Sequence, residues 1–77
     1  MSPRVIPPMP ANAVIKGLGN LGFAVVRQSG SHVRLRHEDG RAATVPDHGR
    51  KDLKTGTVHG ILRQAKVSTA EFLAALS

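Results

Sequence analysis

Residues 31–37, SHVRLRH, alternate polar and apolar side chains along the whole segment. Because successive side chains of a β-strand point to opposite faces, this period of two predicts a strand that buries Val33 and Leu35. The other face of the strand then carries the polar side chains His32, Arg34 and Arg36. Such a strand requires an apolar layer on one side only, so the chain is expected to form a sheet with one covered and one open face.

The neighbouring segments predict strands on both sides of this one. Residues 23–28, FAVVRQ, are rich in β-forming residues and end at the turn residues Ser29 and Gly30. Residues 41–45 follow a second turn over residues 38–40, EDG. Because short turns join antiparallel strands, the segments together predict a three-stranded antiparallel meander.

Helical spacing of apolar residues flanks the meander. Val14 and Leu18 predict a helix over residues 11–20, which Gly17 and Gly19 weaken intrinsically. A second helix is predicted over residues 55–65 by an apolar stripe made of Val58, Ile61, Leu62 and Ala65.

Capping signals complete the helical predictions. Thr55 is expected to be the N-cap of the second helix. Ser68 and Glu71 have the spacing of a capping box and predict a last helix. The order α-β-β-β-α-α predicts an α+β two-layer sandwich, with a three-stranded antiparallel sheet and helices on one face.

At 77 residues the chain has room for one domain. Residues 1–10 are expected to form an extended surface arm of minor structural importance, because they include Pro3, Pro7, Pro8 and Pro10. Residues 11–77 are then the single domain. The chain has no cysteine, which excludes a disulfide scaffold, a zinc ribbon and a thiol nucleophile. With neither a long apolar run nor the apolar centre of a signal peptide, the chain is expected in the cytoplasm.

The charge balance favours a polyanionic partner. Eleven Lys and Arg against five Asp and Glu give a net charge of +6. A membrane surface is disfavoured because no helix pairs a basic face with a long apolar face. Phe23 and Phe72 are the only aromatic residues, so the chain lacks a platform for stacking bases. A phosphate backbone and an acidic protein remain as possible partners.

RNA cleavage is a reaction that requires few functional groups from the protein. RNA carries its own nucleophile, the 2′-hydroxyl, so the protein must supply a general base and positive charge near the phosphate. Histidine is suited to this task because its ordinary pKa is about 6.5. A metal mechanism is disfavoured, since two-metal nucleases require clustered carboxylates that the sequence does not show.

Several motifs together resemble the HicA toxin family. They are Gly30-Ser31-His32 after Arg27-Gln28, Val45-Pro46-Asp47-His48, and Lys54-Thr55-Gly56-Thr57 followed by Ile61-Leu62-Arg63-Gln64-Ala65. The resemblance implies a double-stranded-RNA-binding-like fold, an mRNA interferase activity without a cofactor, and neutralisation by a HicB-type antitoxin. It also implies that His32 is the catalytic base.

Other residues are candidates for RNA binding. Arg34 and Arg36 share the predicted face of His32, and arginine readily makes bidentate contacts to phosphate. The remaining candidates are Gly30, Ser31, His48, Arg50, Lys51 and Lys54. The last three precede the second helix, whose N-terminal amides favour anions, but such a run is equally typical of a solvated loop.

The other histidines leave alternatives open. His48 is a candidate second acid/base or phosphate ligand, and capping of a backbone carbonyl is an equal alternative. His37 is expected to be structural, and His59 to be a solvated surface residue.

Two functions remain open from the sequence. One is a metal-independent ribonuclease toxin, and the alternative is a non-catalytic RNA-binding module of the same fold. A module that only holds phosphates needs no titrating group, so His32 favours the nuclease. A purely protein-binding domain is disfavoured because it would require a larger exposed apolar surface.

Overall fold

The structure, a computed structural model, describes residues 6–76. Its elements in chain order are β1 Met9–Pro10, α1 Ala11–Asn20, β2 Phe23–Ser29, β3 His32–His37, β4 Ala42–Pro46, β5 Asp52–Leu53, α2 Thr55–Ala65 and α3 Thr69–Ala75. The predicted order of helices and long strands is confirmed. None of the helices within the described residues is long and apolar enough to cross a membrane.

The main sheet has the order β2-β3-β4 and is antiparallel throughout, as the sequence predicted. Val33 and Leu35 of β3 are buried, whereas His32, Arg34 and Arg36 are exposed. The helices pack on the covered face, where α2 contacts β4 and α1 contacts β2 and β4. The α+β architecture with one open sheet face is therefore confirmed.

The segment before α1 contributes to the core, whereas the sequence predicted that it contributes little. Ile6 is fully buried and Met9 is 7% exposed. β1 pairs with β5, with Met9 opposite Leu53, and the Ile6 carbonyl accepts a hydrogen bond from Thr55 Oγ1 at 2.8 Å. Prolines prevent long ladders but do not prevent burial of the apolar residues between them. Residues 1–5 of the predicted arm lie outside the described residues.

The N-cap of α2 differs from the prediction by one residue, although the helix has the predicted bounds. Thr55 is the first residue of the helix, and the N-cap position is occupied by Lys54 without a side-chain hydrogen bond. The Thr55 hydroxyl is used instead to hold the N-terminal segment. At α3 the predicted capping box is present, because Ser68 Oγ accepts from the Glu71 amide and Glu71 Oε1 accepts from the Ser68 amide. The hydrogen bond from the Ser68 amide lowers the pKa of Glu71.

The glycines of α1 differ in their surroundings. Gly17 is buried, and a Cβ atom there would lie 2.7 Å from Cε1 of Phe72 and 3.0 Å from Cδ2 of Leu76. A Cβ at Gly19 would meet nothing within 4 Å. Gly17 therefore permits the close approach of α1 and α3, a role that its low helix propensity does not reveal.

We expect Gly17→Ala to lower the free energy of unfolding by about 1–3 kcal/mol, because the added methyl group overlaps the buried Phe72 ring. Gly19→Ala is the matched control. It should raise the free energy of unfolding by up to about 1 kcal/mol, because alanine favours the helix and the site has space. Urea unfolding of both variants is the measurement. Stabilisation by both substitutions would show that the contact between α1 and α3 is looser than described.

Candidate functional site

The open face of the sheet is organised in cross-strand rows. Residues directly opposite each other in an antiparallel pair share a face, so the strand register defines each row. The rows are Ser29/His32/Pro46, Arg27/Arg34/Thr44 and Ala24/Arg36/Ala42. A histidine row at one end of the sheet is thus followed along β3 by two rows that carry arginine.

His32 begins β3 and is exposed. It follows a two-residue hairpin loop of Gly30 and Ser31, in which Gly30 has a φ of +58°. Positive φ at the first loop position is typical of a type II′ turn and explains the glycine. The Ser31 carbonyl accepts a hydrogen bond from the Asp47 amide at 2.5 Å, which holds the hairpin tip beside the segment that follows β4. Gly30 and Ser31 thus position His32.

The two predicted arginine anchors have different surroundings. Arg34 Nη1 donates a hydrogen bond to Thr44 Oγ1 of β4 at 3.0 Å, which orients its guanidinium across the open face. Arg36 lines a shallow depression with Ala24 and Val26 of β2. Both side chains are exposed and available to an anion.

The remaining predicted binding residues lie in the segment between β4 and α2 and line two different depressions. His48, Lys51 and Lys54 line one depression together with Thr57. Arg50 lines a different depression with Asp47, Gly49, Pro10 and Asn12. Pro46, the strand partner of His32, also lines the depression of His48, so this depression adjoins the histidine end of the open face.

Arg27 is a residue of the open face that the sequence pattern does not predict as a binding residue. Strict alternation from buried Phe23 would place Arg27 on the covered face. A β-bulge between Val25 and Arg27 shifts the register by one residue and places Arg27 opposite Arg34. The bulge leaves no signal in the polar–apolar pattern, although Arg27 belongs to the motif that carries the family resemblance.

Comparison with known proteins supplies the family. The sequence model of the HicA toxin of bacterial toxin–antitoxin systems matches residues 11–67 of the 77-residue chain. The chain belongs to the HicA toxin family. Membership gives it the role of a toxin. A comparison with curated proteins found no match.

The match of this HicA-family chain covers the whole open face. It begins with α1 and ends after α2, so it includes all the predicted site residues. Ile6 and Phe72 lie outside it and are nevertheless fully buried. The core of this family member therefore extends beyond the matched segment at both ends.

A cluster at the opposite end of the sheet from His32 accounts for another histidine and another arginine. The His37 ring packs edge-on against Phe23, with ring centroids 5.2 Å apart, and its Nδ1 accepts from the Asp39 amide at 3.1 Å. Arg41 lies 5.2 Å from the Phe23 ring centroid and donates to Asp39 Oδ2 at 2.8 Å. These contacts agree with the structural role predicted for His37 in this HicA toxin.

Asp39, the acidic residue of this cluster, is held in it by hydrogen bonds from Arg41. The hydrogen bond from the Arg41 amide, with the Arg41 guanidinium beside it, lowers the pKa of Asp39.

On α2, His59 is half-buried, whereas the sequence predicted a solvated residue. Residues 6–76 contain no group of three or more His, Asp or Glu side chains placed to hold a metal ion.

Proposed function

We propose that this HicA toxin is a metal-independent endoribonuclease that cleaves cytoplasmic mRNA with His32 as the general base. The observation that carries the proposal is the position of His32 on the open face. His32 is exposed and lies on the same face of the sheet as the two arginine rows, in the row next to that of Arg34. Its row also adjoins the depression of His48. Positive charge and a titratable group are thus presented on one surface of a chain with a net charge of +6.

The proposed reaction uses the RNA 2′-hydroxyl as nucleophile. His32 accepts the 2′-hydroxyl proton as the oxygen forms a bond to the adjacent phosphorus, and the bond from phosphorus to the 5′-oxygen breaks. The products are a 2′,3′-cyclic phosphate and a 5′-hydroxyl. Arg34 and Arg36 supply the positive charge that stabilises RNA on the face. His48 is the candidate donor of the proton that the 5′-oxygen requires.

The proposed protein partner is a HicB-type antitoxin, which family membership supports. The basic charge of the toxin favours an acidic partner surface. An antitoxin that covered the open face would block RNA and His32 together.

A non-catalytic RNA-binding module is the second candidate function. The exposed arginines of the open face favour it, because binding of a phosphate backbone requires positive charge and no catalytic group. The two candidates differ in their need for His32, which is decisive only for cleavage.

Removal of divalent metal ions with EDTA tests whether cleavage is independent of metal. We expect cleavage of RNA to be unchanged in EDTA, because the proposed proton transfers use side chains and the nucleophile belongs to the substrate. The products should carry 2′,3′-cyclic or 3′-phosphate ends, and DNA of the same sequence should remain intact. Product ends are identified by mass spectrometry. Loss of cleavage in EDTA with recovery on adding a divalent metal would contradict the proposal.

A further inference from the structure

Arg27 and Arg34 form a like-charged pair on the open face. They are Cα partners in the β2–β3 ladder, and both are exposed. Like charges directly opposite each other destabilise an antiparallel pair. An arrangement of this kind is therefore unfavourable in the free protein unless an anion lies between the two guanidinium groups.

The protein supplies no such anion within its described part. Asp39 forms an ion pair with Arg41 and also lies beside His37, and neither Arg27 nor Arg34 has a carboxylate partner there. The hydrogen bond of Arg34 goes to the neutral Thr44 hydroxyl, which orients the guanidinium without compensating its charge.

The β-bulge is the structural device that creates the pair. Continued alternation after Val25 would place Val26 opposite Arg34 and Arg27 on the covered face opposite Val33. The extra residue interrupts the ladder, and it brings Arg27 to the open face. Bulges commonly re-aim a side chain beside a functional site.

We propose that Arg27 and Arg34 together bind one phosphate group of the RNA backbone. The inference rests on the proposed function and adds a substrate subsite to it. Arginine presents paired N–H donors that match phosphate oxygens, and cross-strand partners have Cβ atoms about 4.5–5.5 Å apart, so both guanidiniums can reach one phosphate. The arginine row lies about 7 Å along the strand from the row of His32. The bound phosphate is therefore a neighbour of the scissile one, and Arg27 contributes to binding rather than to the chemical step.

The first test measures thermal unfolding with inorganic phosphate as the probe. Phosphate is titrated against chloride at equal ionic strength for the wild type, Arg27→Gln and a control, Arg63→Gln. Arg63 is an exposed arginine of α2, in the layer that covers the other face of the sheet. We expect phosphate at ten times its dissociation constant to raise the melting temperature of the wild type and the control by roughly 6–11 °C. Arg27→Gln should lose this rise.

The free protein gives a second readout from the same experiment. Without phosphate, Arg27→Gln should melt about 1–4 °C above the wild type, because the substitution removes the repulsion. A merely structural arginine would instead lower the melting temperature on removal. A phosphate effect that is absent, or equal in all three proteins, would overturn the proposal.

The second test measures RNA affinity in the His32→Ala background, where the RNA should stay intact. Arg27→Gln, Arg34→Gln, the double variant and the control Arg63→Gln are compared at several salt concentrations. The double variant should lower the salt slope by roughly 0.7, the value for one phosphate contact on single-stranded nucleic acid, and each single variant should lower it by less. Because the two arginines share one phosphate, the double variant should lose less affinity than the product of the single losses. Multiplicative losses would indicate independent contacts and overturn the shared subsite.

The two tests separate this inference from the proposed function. Phosphate stabilisation that depends on Arg27 in a protein that does not cleave RNA would support the subsite and contradict the nuclease. Cleavage that depends on His32, with Arg27→Gln indistinguishable from Arg63→Gln in both tests, would support the nuclease and overturn the subsite.

Discussion

His32→Ala is expected to lower single-turnover cleavage of RNA by roughly 10²–10⁴-fold, the usual loss on removing a general base. Induction of the variant in bacteria should no longer arrest growth, whereas the wild type should arrest it. The fold should be unaffected, because the His32 side chain is exposed at the start of β3. RNA affinity should change only by a small factor, since the arginine rows remain intact.

Matched measurements make this result interpretable. Single-turnover cleavage at saturating RNA is compared with circular dichroism and RNA affinity for His32→Ala, and His59→Ala on α2 is the control outside the open face. Toxicity of His32→Ala equal to that of the wild type would remove His32 as the base. A loss of affinity as large as that of the arginine variants would make His32 an anchor, and the non-catalytic RNA-binding module would become the better function.

Phe72→Ala is expected to unfold most of the protein at 37 °C. Phe72 is fully buried and contacts the surface left open by Gly17 of α1. Removal of a buried phenylalanine side chain costs about 3–5 kcal/mol. A domain of this size without disulfides has a net stability of roughly 3–5 kcal/mol, so the loss is comparable with the whole.

Chemical unfolding monitored by circular dichroism measures this effect. Phe72→Leu, which keeps most of the apolar volume, should lose much less stability. Val26→Ala is the exposed control, because Val26 is 57% exposed, and it should cost less than about 1 kcal/mol. A cooperative transition of Phe72→Ala close to that of the wild type would show that α3 contributes little to the core, despite the burial of its phenylalanine.

The elements of the fold were predictable where the pattern is local. The apolar spacing predicted helices over residues 11–20 and 55–65, and both have these bounds in the structure. The alternation of residues 31–37 predicted which side chains of β3 are buried and which face solvent. Local periodicity is sufficient here because a covered face on one side and water on the other impose the pattern directly on the sequence.

Contacts between distant segments were not predictable in the same way. Nothing in the proline-rich start of the chain indicates that Ile6 is fully buried, because the hydrogen bond that holds its backbone comes from Thr55 of α2, 49 residues away. Gly17 was predicted only to weaken its helix, whereas its importance comes from the Phe72 ring that approaches it.

The candidate site shows the same division between sequence and tertiary structure. By itself the sequence determined that His32, Arg34 and Arg36 share a face, because side-chain direction in a strand alternates with position. Only the tertiary structure decided that Arg27 joins them, since the bulge depends on how β2 registers against β3. It also separated Arg50 from His48, Lys51 and Lys54, because the path of a loop is determined by the contacts of its ends rather than by its composition.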